Sequence, residues 1–327
     1  MRTRTLGRTG IVVSEIGFGA WGIGQEEWVG ATDDAAVLAL NTAFDAGINF
    51  YDTALAYGQG HSERLVGRFA KGKPRDQVVI ATKIPPKNLQ WPAQCGISVG
   101  EVFPKEHIRA CAERSLKNLD LETVDLLQLH VWQDEWLEHE EWQRELQKLK
   151  AEGKVRSIGV SINDHDPTSA LLLAQHKIAD VVQVIYNIFD PTPEDALFDL
   201  CTSTGMGIIA RVPFDEGALT GNIRSNTTFP EGDFRNLYFK GDRKAQVERR
   251  IERLAGLLGD EARTLPELAL RFCLSNEAVS TVIAGTRNPE HARKNAAVSD
   301  GRRLSARLLA ELTTHAWPKN FYDALHY

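Results

Sequence analysis

The chain has 327 residues and a formal net charge of −6 at pH 7, and 25% of its residues are charged. It contains no run of Lys and Arg, so neither a nucleic acid nor an anionic membrane surface is an expected partner. Its four cysteines, Cys95, Cys111, Cys201 and Cys273, lack the spacing of a disulfide framework or a zinc site. No stretch approaches the ~20 apolar residues of a membrane span. We therefore expect a soluble cytoplasmic protein that holds no metal.

Hydrophobic and turn-forming residues predict strands and helices that alternate along the chain. Residues 6–13 are typical of a short hairpin that caps one end of the fold, and residues 16–21 are typical of a first strand and its exit. Thr32 is a predicted helix N-cap and Gly47 a predicted helix stop. The later pattern predicts helices near residues 62–70, 104–118, 142–149, 167–176 and 193–204, and strands near residues 48–52, 78–83, 124–130, 155–161, 181–186, 207–212 and 279–284.

Eight predicted strands separated by helices indicate an α/β fold in which a parallel sheet closes into a (β/α)8 TIM barrel. No segment rich in Pro, Gly or Ser divides the sequence. A barrel of this type needs about 250 residues plus insertions, which the chain supplies. We therefore expect a single domain over residues 1–327, with the N-terminal hairpin as a cap.

Three connections that follow strands are long, and such loops in a compact fold are often lids or walls of a substrate site. They cover residues 85–103, 131–136 and 214–241. Trp91 and Trp132 in these loops, and Trp21 after the first strand, are candidate walls of a substrate pocket. Trp21 is equally compatible with plain packing, and most other aromatic residues of the loops are expected to pack against the barrel.

Four ionisable residues lie at or just after the ends of three successive predicted strands: Asp52 with Tyr57, then Lys83, then His130. Barrel enzymes carry their active sites at these strand ends. The Lys83 ammonium would lower the pKa of the Tyr57 phenol and ease proton transfer, and Asp52 would keep Lys83 charged. His130 could hydrogen-bond a substrate oxygen or pass on a proton. Each residue alone is also compatible with an ion-paired strand end, but the set of four predicts acid–base chemistry and a pocket beside Tyr57 and His130.

A phosphate site is predicted after the last strand. No GxGxxG motif follows the first strand, so a Rossmann-type site is not expected. Gly285, Thr286 and Arg287 instead lead into a helix with Pro289 in its first turn. Backbone N–H groups at a helix start attract phosphate, and an arginine can add a bidentate contact. Without the other observations, the same stretch could be an ordinary helix cap.

Several motifs together resemble the aldo-keto reductase superfamily, in matching order and spacing over nearly the whole chain. They are Asp52-Thr53-Ala54 with Tyr57-Gly58, Ser62-Glu63 with Leu65 and Gly67, Thr82-Lys83, and Leu127-Gln128-Leu129-His130. The resemblance implies a reductase of aldehydes or ketones, with sugars and hydroxy-carbonyl compounds among the candidates. It implies a catalytic tetrad of Asp52, Tyr57, Lys83 and His130, in which Tyr57 is the general acid. It also implies NADPH as the hydride donor, and no metal.

The resemblance further implies which residues contact the cofactor. Ser161, Asn163 and Gln183 match residues that bind the nicotinamide carboxamide, Arg287 matches the partner of the adenosine 2′-phosphate, and Asn295 matches a residue that reaches the adenine. The full expected set is Gly19, Ala20, Trp21, Asp52, Ser161, Asn163, Gln183, Arg211, Pro213, Gly217, Leu219, Gly285, Thr286, Arg287, His291 and Asn295. His291 and Lys294 depart from the usual phosphate-clamp helix, so NADH stays open beside NADPH.

One departure concerns the end of the seventh strand, where the family carries an aromatic residue that stacks on the nicotinamide. This chain has Arg211 there, followed by Val212-Pro213-Phe214-Asp215-Glu216-Gly217. The planar guanidinium of Arg211 could stack on the ring in place of the aromatic residue. Its charge could instead pair with Asp215, Glu216 or a substrate carboxylate.

Two other functions stay open on the sequence. A barrel lyase could use Lys83 as a Schiff-base nucleophile, although this requires a lowered lysine pKa, which Asp52 opposes. A non-catalytic subunit that senses NADPH could keep the same fold and binding residues. A small carbonyl compound is the expected partner, while its identity and the oligomeric state are not readable from the sequence.

Overall fold

A computed structural model describes residues 1–318, which form ten strands and twelve α-helices. The strands are β1 Thr3–Thr5, β2 Val12–Ser14, β3 Ile16–Gly19, β4 Phe50–Asp52, β5 Val79–Ile84, β6 Val124–Leu129, β7 Val155–Ser161, β8 Val181–Ile185, β9 Gly207–Arg211 and β10 Thr281–Gly285. The helices are α1 Asp33–Asp45, α2 His61–Ala70, α3 Val99–Val102, α4 Lys105–Leu119, α5 Glu140–Ala151, α6 Leu171–Gln175, α7 Leu197–Thr204, α8 Arg235–Tyr238, α9 Arg243–Ala255, α10 Leu265–Ser275, α11 Pro289–Ala297 and α12 Ala306–Thr313. No helix within this part of the chain is both long and apolar enough to cross a membrane.

Strands β3 to β10 form a closed barrel in which all neighbours pair in parallel and β10 closes on β3. Every residue of the strands β4, β5 and β6 is buried, as expected of strands covered on both faces by side chains and helices. The predicted (β/α)8 fold is confirmed. The eight barrel strands lie within a few residues of their predicted positions.

The N-terminal hairpin closes the end of the barrel at which the strands begin. Leu6, Ile11 and Val13 pack with side chains of the barrel interior, among them Phe50, Leu126 and Ile209. The hairpin itself is confirmed, but its strands β1 and β2 flank residues 6–11, which form the connection. This connection requires glycine at position 7, where φ is +51° and an added Cβ would lie 2.2 Å from the backbone nitrogen of Gly207.

The segment between β9 and β10 contains three helices, α8, α9 and α10, that were not predicted. In α9 the buried residues Val247, Ile251 and Leu254 recur at the spacing of one helical face. At the other end of the chain the predicted cap is confirmed, because the Thr32 side chain accepts a hydrogen bond from the backbone N–H of Ala35. α1 ends at Asp45, two residues before Gly47, whose φ is +90°.

The register of the barrel aligns polar residues at one rim. Because the strands are parallel, their carboxyl ends meet at the same mouth. The aligned pairs at this rim are Gly19 with Asp52, Lys83 with Gln128, Ser161 with Gln183, Ile185 with Arg211, and Gly285 with Gly19. The fold therefore brings together residues that are far apart in the sequence.

Candidate active site

Lys83 is the centre of a buried hydrogen-bonded group at the barrel mouth. Its Nζ donates to Asp52 Oδ1 at 2.5 Å, to the backbone oxygen of Thr53 at 2.9 Å and to Tyr57 Oη at 3.3 Å. Lys83 is 0% exposed and Asp52 is 1% exposed. The three contacts use the three N–H donors of an ammonium group. An amine that is enclosed and engaged in this way has no accessible lone pair, so the geometry disfavours Schiff-base chemistry.

Two buried glutamine side chains hold the second oxygen of Asp52. Gln183 Nε2 donates to Asp52 Oδ2 at 2.8 Å, and Gln128 Nε2 donates to the same atom at 3.3 Å. Gln183 was expected at the cofactor carboxamide, and no role was expected for Gln128. The signal for Gln128 was present, because it is a polar residue inside an otherwise apolar strand. Both amides orient Asp52 toward Lys83.

Burial dominates the pKa of the Tyr57 phenol. Burial and the Asp52 carboxylate raise the pKa of the Tyr57 phenol well above 10, while Arg211 lowers it. The pKa of Tyr57 is therefore raised and not lowered as expected, because the effect of burial outweighs that of the neighbouring positive charge. Burial also lowers the pKa of Lys83 despite the opposing effect of Asp52. The resulting neutral phenol is in the protonation state that a general acid requires.

His130 lies beside Tyr57 as a neutral imidazole. Burial and the positive charges of Lys83 and Arg211 hold the pKa of His130 well below 6.5. Its ring packs edge-on against Tyr57 at 5.8 Å and against Trp91 at 5.7 Å between centroids. Within residues 1–318 its Nδ1 has no hydrogen-bond partner. Such a ring can hydrogen-bond a substrate oxygen without carrying charge.

Aromatic rings surround Tyr57 on the solvent side. The Trp21 ring stacks on the Tyr57 ring at 6.1 Å and contacts Phe234 at 4.9 Å and Trp28 at 5.6 Å. Trp91 is 36% exposed beside His130. Trp21 and Trp91 thus lie where a pocket wall was expected, as does Phe234, one of the loop aromatic residues that could line a pocket, whereas Trp28 was not singled out in the sequence.

Trp132 differs from the other predicted pocket residues. It is 0% exposed and packs edge-on against Trp136 at 5.9 Å and Trp142 at 5.5 Å. Its indole N–H donates to Asp134 at 3.0 Å. The predicted place of Trp132 in the pocket wall is corrected to packing beneath the loops, because the neighbouring tryptophans enclose its ring.

The segment after β10 has the features of a phosphate site. Arg287 lies at the start of α11 and donates from Nη1 to the backbone oxygen of Val29 at 2.7 Å. Asn288 caps the helix by accepting from the backbone N–H of Glu290 at 2.8 Å. Gly285 is exposed, and no atom lies within 4 Å of the position that a Cβ would take there. A helix N-terminus, a guanidinium and open space fit a phosphate group of a dinucleotide.

Two other residues of this segment were expected to contact the cofactor, Asn295 and His291, and they lie in different environments. Asn295 is buried and donates to Thr286 Oγ1 at 3.1 Å, so it shapes the loop, whereas His291 is exposed on α11. At the end of β3, the backbone oxygen of Gly19 accepts from the Thr286 N–H at 3.4 Å, and the Ala20 N–H donates to the backbone oxygen of Asp52 at 2.9 Å. These contacts link the predicted phosphate site to the rim that carries Asp52.

Asn163 uses its amide to join two of the long loops. Its Nδ2 donates to the backbone oxygen of Trp132 at 2.9 Å, and its Oδ1 accepts from the backbone N–H of Ala93 at 3.2 Å. Binding a carboxamide would require exchange of these partners. Ser161 is buried at the end of β7, and its predicted role at the carboxamide stays a prediction.

Arg211 forms an ion pair that was not predicted. Its Nη2 donates to Asp164 Oδ1 at 2.5 Å and to the backbone oxygen of Ile162 at 3.0 Å. The partners expected for the charge of Arg211 were Asp215, Glu216 or a substrate carboxylate. The barrel instead brings the residues after β7 to the end of β9. Stacking of Arg211 on a nicotinamide stays a prediction.

The turn after β9 is conformationally strained. Val212, Asp215 and Glu216 have φ values of +56°, +46° and +54°, and each left-handed non-glycine residue costs about 1–2 kcal/mol. The turn also contains Gly217, with φ +102°, and the predicted cofactor residues Pro213 and Leu219. Burial, with the charge of Asp215 and then that of Asp164, raises the pKa of Glu216 to about 8.

A buried anchor holds this turn. Asp215 accepts hydrogen bonds from the Tyr238 hydroxyl and from Arg243 Nη2, the latter at 3.4 Å. Arg243 Nη2 also donates to Tyr238 Oη at 3.1 Å. All three side chains are at most 5% exposed. The long segment between β9 and β10 therefore fixes the turn that follows Arg211.

Comparison with known proteins identifies the chain. The model of the aldo/keto reductase family matches residues 15–316. The chain belongs to the aldo/keto reductase family. Members of this family are oxidoreductases that use nicotinamide cofactors.

Individual relatives cover nearly the whole chain. An NADH-specific methylglyoxal reductase of Escherichia coli (strain K12) is 30% identical over 316 residues, which cover 91% of this chain and 93% of that protein. The holo form of aldo-keto reductase AKR11C1 from Bacillus halodurans aligns over 100% of both chains with a TM-score of 0.75 and 26% identity. The glycerol dehydrogenase AKR11B4 from Gluconobacter oxydans aligns over 98% of both chains with a TM-score of 0.76 and 27% identity.

Proposed function

We propose that this aldo/keto reductase reduces an aldehyde or ketone to the alcohol, with Tyr57 as the general acid. The observation that carries the proposal is the buried group in which Lys83 donates to both Asp52 and Tyr57. The name of the methylglyoxal reductase, a relative that acts on a carbonyl compound, supports the same reaction class. His130, the half-buried ring of Trp21 and the exposed ring of Trp91 supply the surroundings of a small substrate.

The residues of the group divide the chemistry between them. When bound, a reduced nicotinamide cofactor supplies a hydride to the carbonyl carbon. The Tyr57 oxygen accepts a hydrogen bond from Lys83, so its own O–H is free to donate a proton to the carbonyl oxygen. The Lys83 ammonium stabilises the phenolate that remains. His130 donates a hydrogen bond to the same substrate oxygen and fixes its position.

The proposed cofactor is NADPH, with NADH as the alternative. Arg287 beside the start of α11 would hold the 2′-phosphate that distinguishes NADPH from NADH. Gly285 and Thr286 would contribute the loop around it, and Ser161 would bind the carboxamide. The NADH-specific relative shows that the family model does not decide between the two cofactors.

The test compares wild type with Tyr57→Phe. NADPH oxidation is followed by its ultraviolet absorbance, with and without a panel of aldehydes, ketones and sugars, and NADPH binding is measured separately. Removal of one general acid is expected to lower kcat by about 10²- to 10⁴-fold, while Tyr57→Phe still binds NADPH. Full activity in Tyr57→Phe would refute the role of Tyr57. Binding of NADPH by the wild type without carbonyl-dependent oxidation would favour a cofactor-sensing subunit.

A further inference from the structure

The two cations nearest to Tyr57 are already paired with carboxylates. Lys83 pairs with Asp52 at 2.5 Å, and Arg211 pairs with Asp164 at 2.5 Å. Arg211 also donates to the backbone oxygen of Ile162 at 3.0 Å. An anionic group that entered the pocket would have to compete with one of these carboxylates. The loss of its own hydration would then be poorly compensated.

Glu27 adds a carboxylate to the pocket rim, and it has no cationic partner within residues 1–318. Its Oε2 accepts a hydrogen bond from Trp21 Nε1 at 2.7 Å, and the Trp21 ring stacks on the Tyr57 ring. The backbone oxygen of Glu27 accepts from the Phe234 N–H at 2.8 Å, which joins the loop after β3 to the segment after β9. The carboxylate is thus held in a defined place over the aromatic wall.

The charge of Glu27 acts on the phenol that we propose as the general acid. Glu27 is among the groups that raise the pKa of Tyr57. Partial burial raises the pKa of Glu27 itself, and the indole hydrogen bond opposes this rise by favouring the charged form. The two groups are therefore close enough to interact, and a substrate bound at Tyr57 experiences the same field.

We propose that the pocket selects uncharged carbonyl compounds over carbonyl compounds that carry a carboxylate or phosphate, and that Glu27 is a specificity-determining residue for this choice. The inference rests on the proposed reductase function and names the substrate class. Glu27 repels a negative charge on the substrate, while the paired state of Lys83 and Arg211 leaves little attraction to offset the repulsion. Uncharged substrates contact the ring faces of Trp21 and Trp91 without electrostatic repulsion from Glu27.

The experiment uses two aldehydes of nearly equal shape, 4-formylbenzamide and 4-formylbenzoate. The measured quantity is the ratio of kcat/KM for the amide to kcat/KM for the benzoate. Comparison of this ratio between variants cancels the intrinsic difference in reactivity. Glu27→Gln keeps an acceptor for the Trp21 indole and removes the charge. Glu26→Gln removes a neighbouring exposed charge and is the matched control.

Wild type is expected to prefer the amide, and Glu27→Gln to lower the ratio by about fivefold, as for two charges ~8 Å apart at an effective dielectric constant of about 40. Glu26→Gln should keep the wild-type ratio. High salt should shrink the difference between Glu27→Gln and wild type. An unchanged ratio in Glu27→Gln, or a wild-type preference for the benzoate, would overturn the inference. The second outcome would make Arg211 a receptor for substrate carboxylates.

A binding measurement separates this inference from the proposed function. The product alcohols 4-(hydroxymethyl)benzamide and 4-(hydroxymethyl)benzoate are titrated against intrinsic tryptophan fluorescence, with NADPH present, which cannot oxidise them. If wild type binds the benzoate alcohol more weakly than the amide alcohol, and Glu27→Gln binds both equally, charge selection is supported even if no carbonyl compound is reduced. Equal binding of both alcohols by wild type would contradict it even if reduction were observed.

Discussion

The substitution Tyr238→Phe tests whether the anchor at Asp215 holds the strained turn after β9. It removes a hydroxyl that donates to Asp215 and accepts from Arg243. The remaining phenyl ring keeps its packing against Phe234 and Phe239, whose centroids lie 5.9 Å and 5.0 Å from that of Tyr238. The change therefore isolates the hydrogen bonds from the hydrophobic contacts.

The magnitude follows from the turn itself. Three left-handed residues, Val212, Asp215 and Glu216, together cost roughly 3–6 kcal/mol relative to ordinary backbone. A hydrogen bond to a buried charged group contributes about 1.5–3 kcal/mol. Tyr238→Phe thus removes about half of what is needed to hold the turn. We expect the free energy of unfolding to fall by about 1.5–3 kcal/mol and the turn to open locally.

Hydrogen exchange measured by mass spectrometry distinguishes local opening from general destabilisation. Tyr186→Phe is the control, because Tyr186 also donates to a carboxylate, that of Glu194, but packs against Phe198 and Phe272. Exchange in residues 212–219 should accelerate in Tyr238→Phe and stay near wild type in Tyr186→Phe. Equal exchange of this segment in both variants, despite a similar loss of stability, would refute the proposed anchoring.

Two further predictions concern charged groups near the cofactor segments. The pKa of Glu216 is raised from 4.5 to about 8, so between these values the folded chain keeps a proton that the unfolded chain loses. As the pH rises from about 5 to about 8, the free energy of unfolding should therefore fall by up to ~1.4 kcal/mol per pH unit. Urea unfolding of Glu216→Gln should lack this contribution, and Glu231→Gln, at an exposed position, should retain it; the same pH slope in all three proteins would contradict the assignment. Arg287→Ala should raise the dissociation constant for NADPH by about tenfold or more and change that for NADH less, since a charge-assisted phosphate contact is lost. Arg293→Ala, on the exposed face of α11, is the control, and equal losses for both cofactors in Arg287→Ala would exclude a contact with the 2′-phosphate.

The barrel and the reactive group were predictable because both depend on local patterns and on one geometric rule. Asp52, Lys83 and His130 each lie at or just after the end of an apolar strand, and parallel strands in a closed barrel bring such ends together. Tyr57 follows Asp52 within one loop. The sequence therefore contained enough information to group these residues before any distance was known.

The partners of several predicted residues were not predictable, because they come from distant segments. The Arg211–Asp164 pair depends on how the residues after β7 lie over β9, and the contact between Asp215 and Arg243 spans a segment whose path the pattern does not define. Gln183 could be placed at the rim, but not its choice of Asp52 as acceptor. The pKa of Tyr57 required the degree of burial, which spacing along the chain cannot supply.

The hairpin that closes the barrel also gives the protein two functionally distinct ends. Met1 is 40% exposed at the closed end, whereas Trp317 packs on Phe189 and contacts Arg243, next to the anchor of the turn at the open end. An affinity tag, a fluorophore or a surface linker joined to the N-terminus would therefore leave the mouth facing solution. A fluorophore attached at position 317 would instead lie beside the segment that positions the turn, so immobilised forms should be attached through the N-terminal side.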